Sequence, residues 1–181
     1  MGEADGDVPA YEVRLARIGE EDAICAVCRE GFAASSEGLL SPATIGRQSA
    51  LYYEPARVRR EIATAGDRRE WQGYVVAVTA SGQVVGAAGG GMAGPTVGLV
   101  LVLYLDLALR GRGIGSALLD FVTTQQRETG ATEQWVTVTE GNELGLPFYR
   151  ARGFVARERF PHFVADDGTV EAHALRMSRP L

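Results

Sequence analysis

Nothing in these 181 residues comes near the roughly 18 consecutive apolar positions that a membrane-spanning helix requires. The first nine residues, Met1 to Pro9, are acidic and lack the basic start and apolar run of a secretory leader, so they are read as a disordered tail and the protein is expected in the cytoplasm. No basic surplus exists: the net charge is −5. That argues against a nucleic-acid binder, which presents a cationic face. Cysteine is scarce, with only Cys25 and Cys28, and no second pair completes a zinc site. Ile24, Val27, Cys28 and Phe32 recur at helical spacing around them, so both thiols are read as small buried side chains. The two histidines, His162 and His173, have no metal-ligand spacing, and no metal is expected.

What is abundant is glycine, 23 residues, together with an ordinary apolar content of 46%. The length suits one domain, expected over residues 10–181. Tyr11, Val13 and Leu15 alternate as a strand. Glu20 to Asp22 favour the start of the helix that carries the cysteines. Residues 33–53 read as a long irregular connection, and Pro55 as a first helical position. Trp71 to Thr79 and Val84 to Ala88 form a hairpin over Ala80-Ser81-Gly82-Gln83, which Gly89-Gly90-Gly91 is expected to end. Val97 to Asp106 reads as a central strand buried on both faces. After it come a glycine turn, an amphipathic helix, the strand Trp135 to Thr139, a short helix stopped by Gly153, and a last hairpin around Asp167-Gly168. The order predicts an α+β (mixed α/β) domain: a mixed, mostly antiparallel sheet with helices on both faces.

The chemistry concentrates in Arg110-Gly111-Arg112-Gly113-Ile114-Gly115-Ser116, between the apolar strand and the helix. Free amides at a helix start attract an anion, and glycine removes the Cβ atoms that would hold it off. This is a candidate phosphate cradle. It is not a P-loop, since no Gly-Lys-Ser/Thr occurs. It also departs from a dinucleotide fingerprint, because the third glycine comes one residue early.

The run Leu103-Tyr104-Leu105-Asp106-Leu107-Ala108-Leu109-Arg110-Gly111-Arg112-Gly113-Ile114-Gly115 resembles the signature of the GCN5-related N-acetyltransferase (GNAT) superfamily. Asn142, Gly145, Phe148-Tyr149 and Gly153-Phe154 resemble that family's second motif at matching spacings. The resemblance implies splayed fourth and fifth strands with acetyl-CoA lying between them as co-substrate. Amides of Gly111 to Ser116 would hold its diphosphate, with Arg110 and Arg112 nearby. Backbone of Leu103, Tyr104 and Leu105 would pair with its peptide-like arm, and Asn142 would bond that arm or cap a turn. Tyr149 would protonate the departing thiolate. An amine of a small molecule or peptide would attack the thioester directly in a ternary complex. The alternative is a non-catalytic acyl-CoA-binding module, because the fifth strand carries Thr137 where some relatives have a basic Glu. Asp106, Glu140 and Glu54 are the candidate proton acceptors, beside a water chain. Leu39, Leu40, Tyr52, Tyr53, Phe160 and Phe163 are candidate acceptor-pocket residues. Pro147 requires the short helix to begin near Gly145. Neither a nucleic-acid nor a membrane partner is expected, and the protein is read as a monomer or homodimer.

Overall fold

A computed structural model describes residues 10–181; the expected tail, residues 1–9, lies outside them. The described chain runs β1 (Tyr11–Leu15), α1 (Glu21–Ser36), α2 (Pro42–Tyr52), α3 (Pro55–Ala63), β2 (Tyr74–Thr79), β3 (Val84–Met92), β4 (Val97–Leu105), α4 (Ile114–Glu128), β5 (Glu133–Thr139), α5 (Leu146–Arg150), β6 (Val155–Val164) and β7 (Val170–Pro180). Seven strands form one sheet in the order β1-β2-β3-β4-β5-β7-β6. Every neighbouring pair is antiparallel except β4 and β5, the pair joined through α4.

Alternation along β2 shows how the layers form. Val75 and Ala77 point into a core with Leu118, Leu119 and Val122 of α4. Tyr74, Val76 and Val78 point the other way, into a core with Ile24, Cys28, Val58 and Ile62 of α1 and α3. The period of two thus divides one buried strand between two helical layers. Both cysteines lie in the second core; burial raises the Cys25 thiol to about 11 and pushes Cys28 up as well. They are packing residues, as the helical spacing indicates.

Four expectations are corrected. Residues 33–53 are not irregular: α1 continues to Ser36, and α2 fills Pro42 to Tyr52. The Ser41 hydroxyl accepts from the Thr44 amide (3.2 Å) with Pro42 in the first turn, a complete capping signal. Only Thr44 of α2 is buried, so no apolar stripe marks this helix in the sequence. The first hairpin strand is also shorter than its composition suggests: it begins at Tyr74, while Trp71 sits in a bridge opposite Arg68.

The glycine triplet does not end the hairpin either, because β3 continues to Met92. A Cβ on Gly89 would lie 2.5 Å from the Trp71 ring, on Gly90 2.2 Å from the Leu99 carbonyl oxygen, and on Gly91 2.0 Å from that of Glu70. Glycine is there because neighbouring chain passes too close for any side chain. Gly90→Ala should therefore destabilise the fold by about 3 kcal/mol, at the upper end of overpacking costs, since backbone cannot swing aside. Urea unfolding would show this as a lower midpoint.

Finally, β4 is not buried on both faces throughout. Its outer half lines cavities, and Leu101 is 54% exposed.

Candidate active site

The parallel pairing of β4 with β5 stops at Val100 and Val136. There the β3–β4 ladder shifts register between Gly89 and Gly90, whose partners are Val102 and Val100. A bulge of this kind bends a strand, and β4 leaves β5 at that point. Beyond it β5 still pairs with β7, while the facing edge of β4 has no strand partner among the described residues. The Asp106 amide donates to the Val85 carbonyl on β3 (2.8 Å). Backbone groups alternate sides along a strand, so Leu103 and Leu105 turn theirs into the gap. Tyr104 turns its backbone toward Ala87 of β3. Its ring packs across Gly31 of α1, where any Cβ would meet it at 2.7 Å.

At the end of this edge Asp106 starts a single 3-10 turn through Leu109, and the chain then enters the glycine segment. Gly111 and Gly113 both take positive φ, +76° and +85°. That conformation costs a residue with a Cβ roughly 1–2 kcal/mol. It turns the chain sharply into α4, whose first internal bond runs from the Ala117 amide to the Gly113 carbonyl (3.0 Å). Among the described residues, no backbone carbonyl accepts from the amides of Gly111, Gly113, Ile114, Gly115 or Ser116. With the positive end of the α4 dipole behind them, they form an anion cradle.

The gap and the cradle belong to one cavity of about 500 Å³. Its lining includes Leu103, Tyr104, Leu105, Arg110, Gly111, Gly113, Ile114, Gly115, Ser116, Asn142 and Tyr149, so nearly all the residues singled out in the sequence meet here. Arg112 is half-buried and outside that lining. The Asn142 side-chain oxygen accepts from the amides of Leu144 (3.0 Å) and Gly145 (2.8 Å), so it caps the turn into α5, which starts after Gly145 as Pro147 requires. Its carbonyl is therefore committed to the turn, while its NH₂ is left for the cavity. Tyr149 is 7% exposed, with its ring held edge-on between Phe148 and Phe154 at 5.1 and 5.2 Å. Burial pushes its phenol above the usual value near 10, so it stays protonated at neutral pH.

One lining residue went unnoticed in the sequence. Arg152 donates to the Ser116 hydroxyl and to the Phe148 carbonyl (2.9 Å), with its guanidinium 3.7 Å from the Phe148 ring centroid. This puts a fixed cation beside the first turn of α4. The available signal is its position one turn after Phe148.

A second, larger cavity of about 1,100 Å³ lies on the α1–α3 side. It shares Phe32, Val100, Leu101, Val102, Tyr104, Val136, Thr137 and Thr139 with the first, so the two meet at the gap. Tyr52, Tyr53 and Phe163 line it as expected; Leu39, Leu40 and Phe160 do not. The candidate proton acceptors also fall away. Asp106 accepts from the Ala108 amide (2.9 Å), Glu54 caps α3 through Ala56 and Arg57, and Glu140 is held by Arg159 at 2.8 Å. None lines either cavity. His162 does line the second; burial lowers its pKa, leaving a neutral imidazole at neutral pH. Among the described residues, no group of His, Cys, Asp and Glu is arranged to hold a metal.

The last hairpin is tied to α2. Glu171 accepts from the Ser41 amide (3.0 Å), the Ser41 hydroxyl (3.1 Å) and the Thr44 hydroxyl (2.6 Å), which holds its carboxyl below the usual range. A carboxylate at a helix N-terminus is also favoured by the dipole. This clamp joins two walls of the second cavity, because α2 supplies Gln48 and Tyr52 while β6 and β7 supply His162, Phe163 and Arg176. Glu171→Ala should lower the unfolding midpoint and speed amide exchange in the first turn of α2. Urea unfolding and exchange mass spectrometry would detect the two effects.

The family model described as Acetyltransferase (GNAT) family matches residues 42–154. A search of curated proteins finds no match. Among solved structures, PaiA N-acetyltransferase from Thermoplasma acidophilum in complex with coenzyme A superposes with a TM-score of 0.79 at 20% identity, covering 95% of this chain and 99% of that one. A GCN5-related N-acetyltransferase from Rhodopseudomonas palustris gives 0.70 at 20% identity, over 99% and 100%. Another from Kribbella flavida gives 0.64 at 23% identity, over 95% and 98%. At such identities the likeness carries the fold.

Proposed function

The chain belongs to the GNAT acetyltransferase family, an acyl-CoA N-acyltransferase with acetyl-CoA as co-substrate, and on that premise we propose that it moves acetyl to a primary amine by direct attack in a ternary complex, with residues 10–181 acting as a single domain. The observation that carries this reading is the set of five amides leading into α4 that have no backbone acceptor among the described residues, opening into the same cavity as the edge of β4 that no described strand pairs.

The residues divide the work by position. Amides of Gly111 to Ser116 bind the diphosphate, with Arg110 and Arg152 supplying positive charge beside it. Leu103 and Leu105 offer backbone to the peptide-like arm, as an added strand would. An N–H of one of them polarises the thioester carbonyl, an interaction commonly worth about 3 kcal/mol. The Asn142 NH₂ orients the arm. The acceptor enters from the other cavity, so its nitrogen reaches the carbonyl carbon at the junction. The C–N bond forms, the C–S bond breaks, and Tyr149 gives its proton to the departing thiolate. The nitrogen's proton leaves on the acceptor side, where His162 and water can take it.

The test is turnover: purified protein, acetyl-CoA and a panel of primary amines, with thiol release followed. Release that depends on an added amine supports the proposal. Tight CoA binding with no release on any amine, unaffected by Tyr149→Phe, reduces the protein to an acyl-CoA-binding module.

A further inference from the structure

The chain places its aromatic residues unevenly. Eight of its fourteen line the larger cavity, including both tryptophans. The rings are set at angles that build walls: Tyr53 meets Tyr104 edge-on at 6.1 Å, Trp71 meets Tyr74 at 4.9 Å, and Phe163 lies 6.4 Å from Phe32. Trp71 is fixed by its indole N–H, which donates to the Glu61 carbonyl (2.9 Å). Such rigid, flat surfaces take flat apolar groups at little entropic cost.

The charges lining this cavity balance. Arg57, Arg68 and Arg176 stand against Glu61, Glu70 and Glu133. Arg57 is bound to Glu61 at 2.8 Å and Arg176 to Glu158 at 3.0 Å. Because Glu158 lies outside the lining, these pairs leave Arg68 against Glu70 and Glu133; a polyamine or aminoglycoside needs several surplus carboxylates to match its several cations, and this lining has one. An amino acid needs a cation for its carboxylate, and two of the three arginines are already paired. What the cavity does offer a single ammonium is the faces of its rings, apart from Tyr52, which Arg57 already covers at 4.9 Å. It is also continuous with the coenzyme cavity at Phe32, Tyr104 and Thr137, so a ring seated among these aromatics leaves its amine directed at the gap.

Building on the transferase reading above, we propose that the acceptor is an arylalkylamine: one primary amine joined by a short saturated chain to an aromatic ring. Because both tryptophans line the cavity, intrinsic fluorescence reports its occupation without turnover. The experiment titrates CoA-saturated protein with 2-phenylethylamine, spermidine and lysine, with CoA binding measured separately by calorimetry. The expected result is a saturable change with 2-phenylethylamine at a Kd at least tenfold below those of the other two. Tyr52→Ala, which removes an exposed aromatic wall at the rim and the seat of the Arg57 guanidinium 4.9 Å above it, should weaken that amine about threefold, the scale of a lost ring–ring contact, and leave CoA affinity unchanged. Spermidine or lysine binding as tightly, or 2-phenylethylamine failing to saturate, overturns the acceptor class while intact CoA binding preserves the transferase reading. Absence of CoA binding overturns both.

Discussion

Replacing Gly113 with aspartate should weaken coenzyme A binding tenfold or more, a loss of at least about 1.4 kcal/mol, with little change in melting temperature. Gly113 is the residue before α4, at φ +85°, and no side chain caps that helix. An aspartate there would set a carboxylate beside the amides proposed to hold the diphosphate. It would crowd the anion and repel it as well. The strain of a left-handed aspartate, about 1 kcal/mol, should lower the melting temperature by only a few degrees. Gly113→Asn separates the two effects, because it crowds the anion without adding charge and should fall between wild type and Gly113→Asp. Calorimetric titration at fixed salt measures all three. Unchanged affinity in the aspartate variant would remove the cradle from the mechanism.

Tyr149→Phe should lower kcat by about a hundredfold, the lower end of what a positioned proton donor contributes, and leave KM for acetyl-CoA nearly unchanged. The ring contacts with Phe148 and Phe154 survive the substitution, so the melting temperature should hold. The direction of the pKa shift sharpens the expectation. Burial raises the phenol, so its proton-donating form persists above the usual titration near 10. Wild-type kcat should therefore show no loss at moderately alkaline pH that Tyr149→Phe abolishes. A normal rate with a lowered melting temperature would mark the residue as packing alone.

The coenzyme side was legible in the sequence because backbone does most of the work there. Glycine at 111, 113 and 115 between an apolar strand and an amphipathic helix announces exposed amides, and no described backbone carbonyl accepts from them. The acceptor side was not legible. Its lining draws on α1, α2, α3 and five strands, and no local pattern links Phe32, Tyr53, Trp71 and Phe163. Residues brought together only by the tertiary fold leave no periodicity to read. Helix α2 escaped notice for a related reason: it lies on the surface with one buried residue, so its only mark was the cap at Ser41 and Pro42. The glycine triplet misled because a close neighbour, not a turn, demands it. Distances to Leu99 and Glu70 belong to three dimensions.

The unpaired edge of β4 and the open amides at the start of α4 also bear on inhibition. A compound that copies the diphosphate and the peptide-like arm would be gripped by main-chain atoms, which every amino acid carries. Single-residue exchange could evade such a compound chiefly at the few positions where glycine itself is the recognition element. Escape variants selected against it should therefore cluster between residues 111 and 115, at the expense of the enzyme's hold on its own coenzyme.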